Sequence, residues 1–168
     1  MSLLRVLLFT SLFLSMESVS ADITVGQAPY DNIGRGGDGK KIKVTDYTGK
    51  VVIITFWATW CSPCMKELPI LSAIQKQVGT ENLQVIAISY QEGIKLFKKV
   101  SKTLSDNPMI FSFDRNGYIA KMYGVKAIPH MVIVGRDGNV FSEHIGYNEK
   151  NLPSLVNEIN SLLQANDS

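Results

Sequence analysis

Two stretches of the chain are nearly continuous in apolar residues. Val51–Trp57 is a β-branched and aromatic run, and Leu83–Tyr90 is a second. Strands buried on both faces carry that pattern. Between them Leu68, Leu71, Ile74 and Val78 recur every three or four residues, the spacing of one helix face. Strand, helix, strand in this order predicts a βαβ unit with parallel pairing. A second helix is predicted over Glu92–Ser105, with Ile94, Phe97, Val100 and Leu104 turned inward and Asn107-Pro108 as its stop. Ile110–Phe113 predicts a short strand and Asp114–Gly117 a turn. Met131–Val134 and Val140–Ile145 flank Gly135–Asn139, whose Asp137-Gly138 pair predicts a β-hairpin. A closing helix over Asn151–Gln164 follows from the stripe Leu152, Val156, Ile159 and Leu163. The sum is an α/β chain with a central mixed β-sheet and helices on both faces.

The two ends of the N-terminal third read differently. Val6–Met16 is apolar apart from Thr10, Ser11 and Ser15, Arg5 precedes it, and Val19-Ser20-Ala21 offers small residues for cleavage. This is the layout of a secretory signal peptide over residues 1–21. The run is short for a hydrocarbon core that needs roughly 20 residues, so an uncleaved membrane anchor is the alternative. Residues 22–168 then form one domain, located outside the cytoplasm. Asp22–Gly39 reads as an irregular arm. Its Gly34-Arg35-Gly36-Gly37-Asp38-Gly39 fits G-x-G-x-x-G, but no apolar strand precedes it and Lys40–Thr45 alternates like a strand, so a turn is expected rather than a dinucleotide site.

Composition narrows the classes further. The 168 residues are 45% hydrophobic and 19% charged, with 17 basic and 15 acidic side chains. That is globular, and a net charge of +2 leaves no electrostatic footprint for nucleic acid. Lys95, Lys98, Lys99 and Lys102 share one helix face, either a docking stripe for an acidic partner or a solvated face.

The candidate chemistry lies in the only two cysteines, Cys61 and Cys64, at the end of the first buried run. Pro63 suits the first turn of a helix, which puts Cys61 at the helix N-terminus among unpaired N–H groups and the positive end of the dipole. Both favour the thiolate. A cysteine of pKa near 8.5 is only a few per cent ionised at pH 7, and lowering it to about 7 makes it roughly half ionised. Cys61 is therefore the expected nucleophile. Cys64, three residues on and about 4.5 Å along the axis, can close a disulfide with it. So small a loop stabilises little, which points to exchange, with Cys64 resolving the mixed disulfide. Zinc would need four ligands, and His130 and His144 fit no finger spacing, so no metal and no cofactor are expected.

The segment Phe56-Trp57-Ala58-Thr59-Trp60-Cys61-Ser62-Pro63-Cys64 resembles the active site of the thioredoxin superfamily. Pro69 matches the proline that kinks that family's active-site helix. Tyr123–Pro129 is similar to the lead into its cis-proline, at Ile128-Pro129, and Gly146 matches a glycine past the last strand. Gly26-Gln27-Ala28-Pro29, Asp46–Lys50, Glu67 in C-x-x-C-x-x-E and the added segment around Gln91–Tyr118 resemble the TlpA/ResA branch of exported thiol–disulfide oxidoreductases. The resemblance implies a thioredoxin-like fold and a substrate strand pairing with the backbone at Ile128 and Pro129, with Trp57 and Trp60 framing the site or simply packing. Thr55 stands where thioredoxin has a buried aspartate, so a proton acceptor for Cys64 is sought in Glu67, one turn away. Glu67 either tunes Cys64 by proton transfer or repulsion, or is a solvated helix carboxylate. His130 replaces a threonine common after the cis-proline, and either titrates near the disulfide or fills space.

From the branch, the expected activity is reduction of disulfides in extracytoplasmic, in particular periplasmic, proteins. Cytochrome c apoproteins and copper-site assembly proteins are the substrate types. A transmembrane thiol carrier would be the electron donor, and the working form a monomer. The rivals are a disulfide-forming oxidase of the same fold and a copper-binding chaperone using the cysteine pair.

Overall fold

The computed structural model describes residues 23–104 and 106–165; the signal peptide expected over residues 1–21 lies outside them. Within the described residues, seven strands and four helices follow one another: β1 (Asn32–Arg35), β2 (Lys41–Lys43), β3 (Val51–Trp57), α1 (Ser62–Val78), β4 (Leu83–Tyr90), α2 (Ile94–Thr103), β5 (Ile110–Asp114), α3 (Tyr118–Met122), β6 (His130–Val134), β7 (Val140–Ile145) and α4 (Leu152–Gln164). The main sheet has the order β5-β4-β3-β6-β7. β3, β4 and β5 are parallel, while β6 runs against β3 and β7 against β6. Every residue of β3 is buried, as its unbroken apolar run requires of a central strand covered on both faces.

Alternation along β3 sorts the core into two layers. Val51, Ile53 and Trp57 point to the layer that holds Cys61, Cys64, Leu68, Leu71, Phe97, Leu155 and Ile159, from α1, α2 and α4. Val52, Ile54 and Phe56 point to the other layer, with Ile33 and Ile42 of the small hairpin and Ile119 and Tyr123 around α3. Among the described residues, no helix is long and apolar enough to cross a membrane.

Five expectations need correction. The arm is not irregular throughout, because β1 and β2 form an antiparallel hairpin whose turn is the glycine-rich segment, closed by Gly36 N–H to Lys40 O at 3.0 Å. This hairpin bridges to β5 at Gly36 and Ser112 and covers that sheet edge. The strand expected over Lys40–Thr45 ends at Lys43 and passes into a 3-10 turn, Val44–Tyr47. In α2, Ile94 is exposed and only Phe97 is fully buried; in α4, Val156 is exposed while Leu155 takes the inward position. Each inward stripe differs from the expected one because packing against the sheet, not periodicity alone, sets helix phase. The third helix, α3, has no counterpart among the expected elements: five residues are too few to show a period, and Asp114 anchors it by accepting the Ala120 N–H at 2.8 Å.

The chain enters the sheet at one end. Gly26 N–H donates to Val140 O and Val140 N–H to Gln27 O, both at 2.8 Å, so the N-terminal arm is sewn to the start of β7. That end carries Val51 and Val134; the opposite end carries Trp57, His130 and the cysteines.

Candidate functional site

β3 ends at Trp57, and Ala58–Cys61 turns back on itself with the Cys61 N–H bonded to Ala58 O at 3.1 Å. Cys61 is the N-cap of α1, in extended backbone conformation, and Pro63 occupies the first turn. Its sulfur accepts the Cys64 N–H at 3.2 Å. A helix-terminal N–H aimed at sulfur, with the positive end of the dipole behind it, favours negative charge there. Cys61 and Cys64 are joined, with 5.3 Å between α-carbons. Pro69 lies inside α1, where its ring interrupts the backbone ladder.

The peptide bond between Ile128 and Pro129 is cis. The Ile128 carbonyl oxygen lies 3.7 Å from Cys61 Sγ. Pro129 is buried and Ile128 half-buried. Trp60 is 66% exposed beside Cys61, whereas Trp57 is fully buried behind the disulfide, edge-on to Phe111. Of the two tryptophans, then, Trp60 alone is offered to a partner, because Trp57 belongs to a strand covered on both faces.

Glu67 is 4% exposed, which excludes the solvated carboxylate. Its Oε2 accepts the Thr55 hydroxyl at 2.8 Å. Thr55 at the position of thioredoxin's buried acid thus becomes the partner of an acid supplied by α1. Burial pushes the Glu67 carboxyl up to about 7, against the lowering effect of the Thr55 hydrogen bond. Glu67 also lines a cleft of about 450 Å³ shared with Met131, His144, Gly146, Tyr147 and Leu155. A group that titrates near neutrality, one turn from Cys64 and at the wall of a cleft, can take up or release a proton at working pH.

His130 is fully buried, but not at the disulfide. It pairs with Phe56 across β3 and β6 and packs edge-on to that ring, in the layer opposite the cysteines. Strand alternation sends Met131, not His130, toward the disulfide. Glu143 Oε1 lies 2.9 Å from His130 Nε2, yet off the hydrogen-bonding direction, so neither ring nitrogen has an aligned partner among the described residues. Burial holds the imidazole below its ordinary 6.5, against the raising influence of Glu143. The four lysines of α2 are exposed.

Glu92 is a residue of the site that the sequence motifs do not mark. It lies in the β4–α2 loop, is 6% exposed, and accepts the Thr59 N–H at 2.7 Å together with the Thr59 hydroxyl. Its only trace in the sequence is an acid that opens a helical pattern, which reads as ordinary helix-start chemistry.

The Redoxin family model matches residues 24–161. Thiol-disulfide oxidoreductase ResA of Bacillus thuringiensis subsp. konkukian is 34% identical over 113 residues, 67% of this chain and 65% of that protein, so the match falls just short of two thirds of the relative's length. The thioredoxin-like protein YneN of Bacillus subtilis is 29% identical over 81% of this chain and 80% of its own. Among solved structures, a putative thiol:disulfide interchange protein DsbE from Chlorobium tepidum superposes with a TM-score of 0.74 at 29% identity, covering 84% of this chain and 99% of that one. The pneumococcal exposed lipoprotein thioredoxin Etrx1 from Streptococcus pneumoniae gives 0.65 at 28%, covering 80% and 100%. A capped cysteine pair beside a cis-proline, on a sheet of this order, agrees with all of these likenesses, and the chain belongs to the Redoxin family, with a thioredoxin-like fold of the ResA/TlpA type.

Proposed function

We propose that this chain is a thiol–disulfide oxidoreductase that reduces disulfides in extracytoplasmic proteins. The observation that carries the reading is the sulfur of Cys61, which caps α1 and lies beside the Ile128 carbonyl and the exposed Trp60. In the reduced protein the Cys61 thiolate attacks one sulfur of a substrate disulfide. The other substrate sulfur leaves as a thiolate and takes a proton from water. Cys64 then passes its proton to the Glu67 carboxylate and attacks Cys61 Sγ. The second substrate sulfur departs, two electrons have moved to the substrate, and the Cys61–Cys64 disulfide remains. A membrane-embedded dithiol carrier restores the reduced pair. Ile128 and Pro129 present backbone for a substrate strand, and Trp60 supplies an apolar contact.

The ResA and DsbE likenesses support thiol–disulfide exchange, and the motif resemblance to the TlpA/ResA branch adds substrates of the cytochrome c maturation or copper-site assembly type. Residues 1–21 act as a signal peptide, residues 22–168 form the working domain, and the domain acts as a monomer. The test is capture in cells. Cys64→Ser leaves Cys61 without its resolving partner, so it accumulates mixed disulfides released by dithiothreitol, while Cys61→Ser accumulates none. Equal capture by both variants, or capture by neither, would remove Cys61 from the nucleophile's role.

A further inference from the structure

Thr59 and Trp60 are the two residues between the end of the buried β3–Ala58 segment and Cys61, and their position fixes where the Cys61 sulfur points. The residue that fastens this turn comes from another element. Glu92 Oε1 accepts both the N–H, at 2.7 Å, and the hydroxyl of Thr59, and Glu92 Oε2 accepts the Ser89 hydroxyl at 3.3 Å. The carboxylate is 6% exposed, so these donors replace most of its water. The loop that delivers it is bent. Gln91, just before it, has φ +51, a left-handed conformation uncommon outside glycine, and is held there by its N–H to Asp114 O at 3.1 Å. A buried carboxylate that meets no cation among the described residues, aimed at the backbone two residues from the nucleophile, is a costly arrangement for a loop that only needs to turn.

We propose that Glu92 is a positioning residue for the redox reaction. It latches the β3–α1 turn so that Cys61 is held against the Ile128 carbonyl, and its charge opposes excessive stabilisation of the Cys61 thiolate. Thr59 and Cys61 are two residues apart, at most about 7 Å between α-carbons, so the latch transmits displacement directly. The charge itself sits 2.7 Å from the Thr59 nitrogen, two residues before the sulfur, and its burial keeps solvent from screening it fully. A more stable thiolate makes the disulfide more oxidising, so a carboxylate here favours the oxidised protein and makes its dithiol a stronger reductant.

This proposal rests on the disulfide-exchange reading, and one set of assays separates the two. Full-length protein, its Glu92→Ala variant and its Glu92→Gln variant are compared in exchange with hydroxyethyl disulfide, a small neutral probe that needs no docking surface, and in equilibration with glutathione buffers. Glu92→Ala is expected to exchange about tenfold more slowly. Glu92→Gln keeps an oxygen for the Thr59 N–H and is expected to recover to within about threefold of the unsubstituted rate. Its equilibrium constant should nevertheless shift about threefold toward the reduced protein, about 14 mV for two electrons. A residue with only a structural role would change the melting temperature and leave that constant alone. Exchange by folded Glu92→Ala within twofold of the unsubstituted protein overturns the proposal. If Glu92→Ala does not fold, an unchanged equilibrium constant in Glu92→Gln overturns it. Failure of the unsubstituted protein to exchange at all would instead overturn the parent reading.

Discussion

Replacing Glu67 by glutamine should make the oxidised protein more stable at alkaline pH, although it removes a group on which turnover depends. The folded protein holds this carboxyl at about 7, against an ordinary 4.5, because burial penalises the charge. Between these values the native state binds a proton that the unfolded chain has released, so stability falls as pH rises through the window and levels off above it. At about 1.4 kcal/mol per pH unit the loss is about 3 kcal/mol. Glutamine does not titrate, still offers an oxygen to the Thr55 hydroxyl, and escapes the loss. Urea unfolding of the oxidised protein at pH 4 and pH 8 measures it cleanly, since a closed disulfide contributes no thiol titration and the effect of His130 is common to both proteins. With a urea slope of about 1–3 kcal/mol/M, the midpoint difference between variant and unsubstituted protein should change by about 1–3 M across that range. Exchange by the variant should also lose its inflection near pH 7. Stability curves that run parallel for the Glu67→Gln variant and the unsubstituted protein would refute the buried, half-titrated acid, and with it the proton acceptor for Cys64.

Two further outcomes follow from the two core layers. His130 is neutral, buried and lowered in pKa, so the unfolded chain takes up a proton first as pH falls below 6.5 and stability is lost on the acid side. His130→Leu should reduce that acid-side loss in a pH-melting series while leaving hydroxyethyl disulfide exchange within about twofold, and a large change in exchange would contradict its placement away from the cysteines. Gly34 has φ +100, and a Cβ there would overlap the Ser112 hydroxyl that donates to Ile33 O and come 3.0 Å from Ile119. Gly34→Ala should therefore cost about 2–4 kcal/mol in chemical denaturation by prising the hairpin from β5, and a near-neutral result would show that the hairpin is not tightly seated.

Much of the scaffold is visible in one dimension because its strongest signals are local. The central pair β3 and β4 is written as apolar runs, and the β6–β7 turn as Asp137-Gly138. The cysteines announce themselves by their spacing and by Pro63. What escapes is set by contacts between elements. Nothing near Thr55 says that its hydroxyl will meet Glu67, twelve residues away, because that bond exists only once α1 lies across β3. Glu92 reaches Thr59 across 33 residues, through a loop whose bend depends on Asp114. β1 has one apolar residue, Ile33, and so no period to detect, yet that residue is fully buried. The sides taken by Trp57 and His130 are implicit in strand alternation, but fixing them requires knowing that β3 is covered on both faces and that Phe56 faces His130.

The stitching of the arm to β7 gives the molecule a polarity. Gly26 and Gln27 are fastened to Val140, at the end of the sheet away from the cysteines. Six residue steps along β3, about 20 Å, separate the two ends. A tether on the preceding chain would pull at this end, and the arm would carry the load into the edge of the sheet rather than into the turn before Cys61. The redox face would then stand on the far side of the domain from its mooring, turned toward the surrounding medium, and tension on the leash would not reach the latch that aims the sulfur.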